Sequence, residues 1–275
     1  LVSYINIATD GEAAMFGDLS TIRYNMFSGG MASSTRAVFG GGTTPSVNYS
    51  DTIDFLTFST KGKATDFGNT TVGRTGGASL SNSTRGLMAG GSASSYSDVV
   101  DYITIASAGN ATDFGDASAA YGQQGAAAST TRGLVAGGKN PAVNTIDYYT
   151  IASTGNATDF GDLTVARRLV PAGLSSNTRA VFGGGNSGSA SDVMDYVTIA
   201  STGNATDFGN LTAASIYSAG LSNKTQGLYT AWGSSGTFNV DKITIASTGN
   251  ATDWGENIHK NYGIGSASNS HGGIS

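Results

Sequence analysis

Short runs in which apolar and polar residues alternate recur along the whole chain, each cut off within a few residues by Gly, Asn or Ser. Runs of the type Tyr-Ile-Thr-Ile are rich in β-branched residues and predict strands. Each then meets Ser-Thr-Gly-Asn and a second short run ending in Asp-Phe-Gly, which predicts a β-hairpin with a Gly-Asn turn. The wording returns periodically: DYITIASAGNATDFGD at 101–116, DYYTIASTGNATDFGD at 147–162, DYVTIASTGNATDFGN at 195–210 and DKITIASTGNATDWGE at 241–256, with weaker copies at 54–69 and 3–18. The aromatic before the glycine falls at Phe16, Phe67, Phe114, Phe160, Phe208 and Trp254, a mean spacing of about 47.6 residues. A first aromatic stands 12 residues earlier at Tyr4, Phe55, Tyr102, Tyr148 and Tyr196, with Lys242 in the last copy.

A second half-unit follows each hairpin, as in GLSSNTRAVFGGG at 173–185, with relatives at 30–42, 78–91, 125–138 and 220–233. It predicts two more short strands, the second ending in a glycine doublet. Four strands per unit of about 47 residues match a propeller blade better than a coil of a β-helix. The expected architecture is all-β: one domain over residues 1–275, a closed six-bladed β-propeller with four short antiparallel strands per blade. The chain stops at Ser275 at the point equivalent to the start of Thr-Arg-Ala-Val-Phe-Gly and begins at Leu1 with the strand that comes next. One blade is therefore expected to be completed by both termini, which would pair two otherwise open edges.

Composition sharpens this picture. Glycine is 41 of 275 residues while proline is only 3, which points to tight turns and excludes collagen and proline-rich linkers. Charged residues at 12% starve long surface helices. With no cysteine there is no disulfide framework, thiolate metal site or cysteine nucleophile. A net charge of −5 without a basic run argues against nucleic acid and anionic membrane surfaces as partners. No stretch approaches 18 consecutive apolar residues, the first residues lack a basic n-region, and the first residue is not Met, so a processed or partial chain is expected.

The glycine doublets Gly40-Gly41, Gly90-Gly91, Gly137-Gly138 and Gly183-Gly184, the two aromatics 12 apart, and an arginine seven beyond the second at Arg23, Arg74 and Arg167 together resemble kelch repeats over essentially the whole chain. The departures are Phe for the family's usual Trp except at Trp254, Trp232-Gly233 in place of the fifth doublet, and Tyr121, Ser215 and Asn261 in place of the arginine. The TIASTGNATDFG wording is similar to kelch-like repeats in virion and tail proteins of marine bacteriophages, including cyanophages. That resemblance implies a non-enzymatic structural or recognition module of a virus particle, in multiple copies, docking to other virion proteins or to host surface glycans. The alternatives are a secreted or cell-surface bacterial adhesin or lectin and a glycan-processing propeller enzyme.

Little chemistry remains once the repeat is subtracted. Most Asp and Arg recur with the blades, which fits turn capping and inter-blade bonding rather than residues converging on one reacting centre. Outside the repeat stand Asp10, Glu12, Glu256, His259, Lys260 and His271. Glu256 and His259 are three apart, but in a loop or strand that spacing makes no metal site, and neither a metal nor another cofactor is expected. No catalytic residue is assigned; a hydrolase would have to use Glu256 or Asp10. The four Asn-Ala-Thr sequons at Asn110, Asn156, Asn204 and Asn250 are copied with the hairpin, so Asn is read as supporting left-handed turn geometry after Gly. Variation concentrates in the connection after each glycine doublet, which shares a face with the blade-to-blade links. Asn48, Tyr49, Tyr96 and Asn140 on that rim are the candidate ligand-binding residues, offering ring stacking and amide hydrogen bonds.

Overall fold

Twenty-one β-strands and no helix occur among the described residues of this computed structural model, which are 1–9, 13–139, 141–170, 173–233, 239–256 and 265–274. Val2–Tyr4 (β1) and Ala14–Gly17 (β2) pair with each other. Met31–Ala32 (β3), Arg36–Gly40 (β4), Thr52–Thr57 (β5) and Thr65–Asn69 (β6) form the first four-stranded antiparallel blade in sequential order. Ala78–Ser81 (β7), Arg85–Ala89 (β8), Ser97–Thr104 (β9) and Thr112–Tyr121 (β10) form the second. Gly125–Ala128 (β11), Arg132–Ala136 (β12), Val143–Thr150 (β13) and Thr158–Arg167 (β14) form the third. The fourth contains Leu174–Ser175 (β15), Arg179–Gly183 (β16), Ser191–Thr198 (β17) and Thr206–Ser222 (β18), and β18 runs on to pair with Gln226–Gly233 (β19), Asn239–Thr244 (β20) and Thr252–Glu256 (β21). The fold is a β-propeller whose last two blades share one 17-residue strand.

Among the described residues five four-stranded blades are present, and the expected sixth is not among them. The sixth unit supplies only the hairpin β1–β2, and residues 265–274 form no strand. Among the described residues the pairing expected between the two termini is not made; residues 257–264 of that expectation lie outside them. Instead the amide of Gly272 donates to Ser175 O at 3.0 Å, and Ile274 N closes a turn on His271 O. Sequence accounts for this: Gly272 and Gly273 stand where other units carry the Arg-Ala or Arg-Gly of their second strand, so the segment lacks the guanidinium that anchors that strand.

The hairpins are joined differently from a two-residue Gly-Asn turn. Seven residues, 105–111, separate β9 from β10, and the turn lies at Thr104–Ser107. The Gly-Asn-Ala stretch beyond it is a strap to the preceding blade. Gly109 N donates to Phe67 O and Ala111 N to Asn69 O, at 2.7 and 2.8 Å. The same two bonds recur from Gly62 and Ala64 to Phe16 and Asp18, from Gly155 and Ala157 to Phe114 and Asp116, from Gly203 and Ala205 to Phe160 and Asp162, and from Gly249 and Ala251 to Phe208 and Asn210. At each strap the glycine after the second aromatic sits at a register shift and faces the next blade's backbone.

Aromatic spacing has a packing reason. The pairs Tyr4–Phe16, Phe55–Phe67, Tyr102–Phe114, Tyr148–Phe160 and Tyr196–Phe208 all meet edge to face, with centroids 6.0–6.2 Å apart. The second ring of each pair then packs on two apolar residues of the next hairpin, as Phe67 does on Ile103 and Ile105. Trp254 of the fifth blade meets Ile5 and Ile7 after β1 in the same way, so the last hairpin touches the first. Burying these rings stabilises each joint at about 25 cal/mol per Å² of apolar surface removed from water.

Candidate functional site

The repeated charges are structural. Arg23, Arg74 and Arg167 are fully buried and pair with the equally buried Asp54, Asp101 and Asp195 at 2.5–2.6 Å. Each arginine also bonds the carbonyls of the blade it enters: Arg74 Nη1 donates to Gly90 O at 2.8 Å and to Val99 O. A hydroxyl four residues beyond each second aromatic supplies a further donor, as Thr71 Oγ1 does to Asp101 Oδ1 at 2.5 Å. Ser20, Ser118, Thr164 and Thr212 do the same for Asp54, Asp147, Asp195 and Asp241. This Ser/Thr position was visible in the sequence as a fifth repeat feature and was missed. The second set of arginines, Arg36, Arg85, Arg132 and Arg179, lies 4.3–4.6 Å over the first aromatic of its own blade and donates to a carbonyl of the next.

Where Tyr121 replaces the arginine, Asp147 is buried with its Oδ1 unpartnered. Burial raises its carboxyl above the usual carboxylate range, against the lowering effect of two hydrogen bonds from Ser118. Because the folded-state pKa lies above the unfolded one, this group's contribution to stability is full below the unfolded pKa and is lost as pH rises through the folded value. Asp147→Asn should therefore gain stability relative to the parent as pH rises from about 4 to 7, measured by urea unfolding at each pH. A difference that stays flat over that range would contradict the assignment.

The sequon asparagines do not take left-handed backbone geometry; none is among the positive-φ residues, while Gly155, Gly203 and Gly249 before three of them are. Their side chains complete the strap. Asn110, Asn156, Asn204 and Asn250 Oδ1 each accept at 3.1 Å from the backbone amide of Asn69, Asp116, Asp162 and Asn210 in the preceding blade.

The variable rim is where exposed apolar groups gather. The loops after the glycine doublets bond to the inter-blade links, through Tyr24 N–Thr43 O, Thr75 N–Ser92 O, Lys139 N–Gly122 O and Arg168 N–Asn186 O. On this face Ile22 (78% exposed), Tyr24, Val47, Tyr49 and Val72 stand in solvent, five of the nine exposed large hydrophobic residues among those described. Tyr49 and the link come together closely: a Cβ on Gly73 would lie 2.3 Å from Tyr49 O. Asn48 is exposed, and its carbonyl accepts from Thr43 Oγ1 at 2.9 Å. Tyr96 belongs to the next blade's loop and is half-buried, its ring against Gly122. Asn140 lies outside the described residues, as do Asp10, Glu12, His259, Lys260 and Asn261. Glu256 is exposed at the end of β21. Sequence reasoning reached Asn48 and Tyr49 but missed Ile22, Tyr24 and Val72, which lie in links.

Glycine, alanine and serine of the innermost strands line the central channel together with Ser266, Ala267, Ser268 and His271. His271 Nδ1 accepts from Gly273 N at 3.0 Å, and its Nε2 is 3.3 Å from Ser81 Oγ. Burial lowers the imidazole pKa to about 4. A folded value below the unfolded one means that this contribution is complete above the unfolded pKa of 6.5 and is lost as pH falls toward about 4. Hydrogen exchange at Gly272, corrected for intrinsic rate, should accelerate on going from pH 7 to 4.5, and His271→Gln should remove most of that acceleration. Equal protection at both pH values would refute the burial of a neutral ring.

Among the described residues no group of three His, Cys, Asp or Glu side chains could hold a metal, and no helix is long and apolar enough to cross a membrane. No protein-family model and no curated protein matches this sequence.

Proposed function

We propose that this chain is a non-enzymatic recognition module of a virus particle, built as a closed ring of six repeat units that holds one variable rim for docking to a neighbouring virion protein. The observation that carries the docking role is the apolar group Ile22, Tyr24, Val47, Tyr49 and Val72 on that rim of a chain otherwise poor in exposed large hydrophobics. The virion context rests on the resemblance of the TIASTGNATDFG wording to phage tail repeats. The closed ring is supported by Trp254 packing on Ile5 and Ile7 as each other second aromatic packs on the next hairpin. Three aliphatic side chains beside two tyrosines favour a protein surface, since sugars are held by flat rings and polar groups.

Host glycan binding is the second reading, favoured by the exposed rings of Tyr24 and Tyr49 beside the Asn48 amide. The test measures binding of the isolated protein to purified particle proteins and to a glycan array, using the parent, Ile22→Ser/Val72→Ser and Tyr49→Ala/Tyr96→Ala. Protein docking predicts loss of binding, about tenfold or more, in the aliphatic variant. Glycan binding lost only in the tyrosine variant would select the second reading. Hydrolysis of a glycan, abolished by changing one carboxylate, would overturn both.

A further inference from the structure

Independently of the rim, one wall of a cleft between the fifth and first blades is an open strand edge. Among the described residues β1 pairs with β2 alone, whereas its counterparts β5, β9, β13, β17 and β20 each pair on both sides. The open edge faces a cleft of about 580 Å³, walled by Ala37, Phe39 and Leu56 of the first blade and Val240 and Trp254 of the fifth. The molecule itself shows what fits the equivalent place. Strands β4, β8, β12 and β16 read RAVFG, RGLMA, RGLVA and RAVFG, the first residue half-buried and the next four buried. An unpaired edge between apolar walls is the geometry of strand addition, in which backbone bonds hold the incoming segment and alternate side chains fill pockets.

We propose that this cleft is a strand-acceptor site for another polypeptide, whose five-residue extended segment of pattern polar–small–aliphatic–apolar–small adds antiparallel to β1. The register follows from the first blade, where Arg36 to Gly40 lie opposite Thr57 to Ile53; the added segment lies opposite Asn6 to Val2. In that blade Val38 packs into the joint ahead and Ala37 and Phe39 into the joint behind. By the same alternation the third residue of the segment faces the first blade, and the second and fourth face Trp254, Val240 and Leu228. The first position differs from its counterparts: Lys61 already lies 4.6 Å over the Tyr4 ring and donates to its hydroxyl at 2.9 Å, so an uncharged polar residue is favoured over Arg. Among the described residues a second copy of this chain has no such strand to give, because β4, β8, β12, β16 and β19 are paired on both sides. In the segment Gly272–Ile274, the amide of Gly272 is already bonded to Ser175 O and that of Ile274 to His271 O.

The probe is the blocked peptide STQAVFGG, with STQPVFGG as control: in the first blade the amides of Ala37 and Phe39, not that of Val38, face β5, so a proline at the second segment position removes a donor to β1. Saturating STQAVFGG should raise the melting temperature by about 5 °C and slow amide exchange at Ser3 and Ile5, whose counterparts Asp54 and Leu56 bond β4, about tenfold, while the proline peptide does neither. No shift and no protection, or equal effects from both peptides, would overturn the proposal. So would protection of Ser3 and Ile5 in the free monomer, which means the chain's own residues fill the cleft, or protection appearing only with concentration-dependent dimers, which means a second copy does.

Discussion

Replacing Arg74 with methionine should lower the melting temperature by about 10 °C, the largest loss expected from any single side-chain change in the inner ring. The methionine fills part of the volume but leaves Asp101 buried without its guanidinium partner, and it strips Gly90 O and Val99 O of a donor. Breaking one side of a buried pair costs about 3–5 kcal/mol, because the remaining charge has no solvent to turn to. Thr71 still donates to Asp101 Oδ1, so part of the carboxylate stays bonded. The double variant Arg74→Met/Asp101→Asn should recover about half of the loss, measured by urea unfolding of all four members of the cycle. The third blade already carries a natural version of this half-pair in Asp147, which shows that the fold tolerates one such site. If Arg74→Met melts within a degree or two of the parent, the pair is marginal and the joint is held by backbone and rings alone.

Gly161→Ala should cost about 3 kcal/mol or more through two separate effects. Its φ of +143° lies where residues with a side chain are strained. A Cβ there would also stand 2.5 Å from Gly203 O, between the strap bonds from Gly203 to Phe160 and from Ala205 to Asp162. Backbone of the next blade cannot step aside without losing both. Gly155→Ala separates the two effects, because its φ is +157° but its Cβ would meet nothing within 4 Å. The Gly155 variant should lose less than half as much stability in thermal melts. Equal losses would assign the whole effect to backbone strain and remove the close approach as a reason for Asp-Phe-Gly.

These two sites also show what could be read in advance. The strand runs, the 12-residue aromatic spacing and the glycine before the next blade all announce themselves through local chemistry repeated in register. The role of Gly-Asn was misread because a turn and a strap favour the same residues; only the neighbouring blade distinguishes them, through Asn110 Oδ1 and its equivalents. The sixth blade failed for a related reason. Ser-His-Gly-Gly-Ile keeps the position of a second strand but not its anchoring arginine, and no local rule sends its Gly272 amide to Ser175 O instead. On the rim, the loop positions Asn48 and Tyr49 were legible as departures from the repeat. Ile22, Tyr24 and Val72 were not, since their exposure depends on which loop lies beside each link.

Four hairpins carry almost the same sixteen residues, and every strap from Gly62 to Ala251 uses the same donors and acceptors. Hairpin and joint are therefore not uniquely matched while the chain is still collapsing. The hairpin of 147–162 satisfies the place of 101–116 or 195–210 with nearly native contacts, so skipping a unit gives a deep trap rather than a shallow one. Order of emergence during synthesis resolves the ambiguity, because a new hairpin meets only the joint left open by its predecessor. Refolding of the full-length chain from denaturant, where all six compete at once, lacks that address.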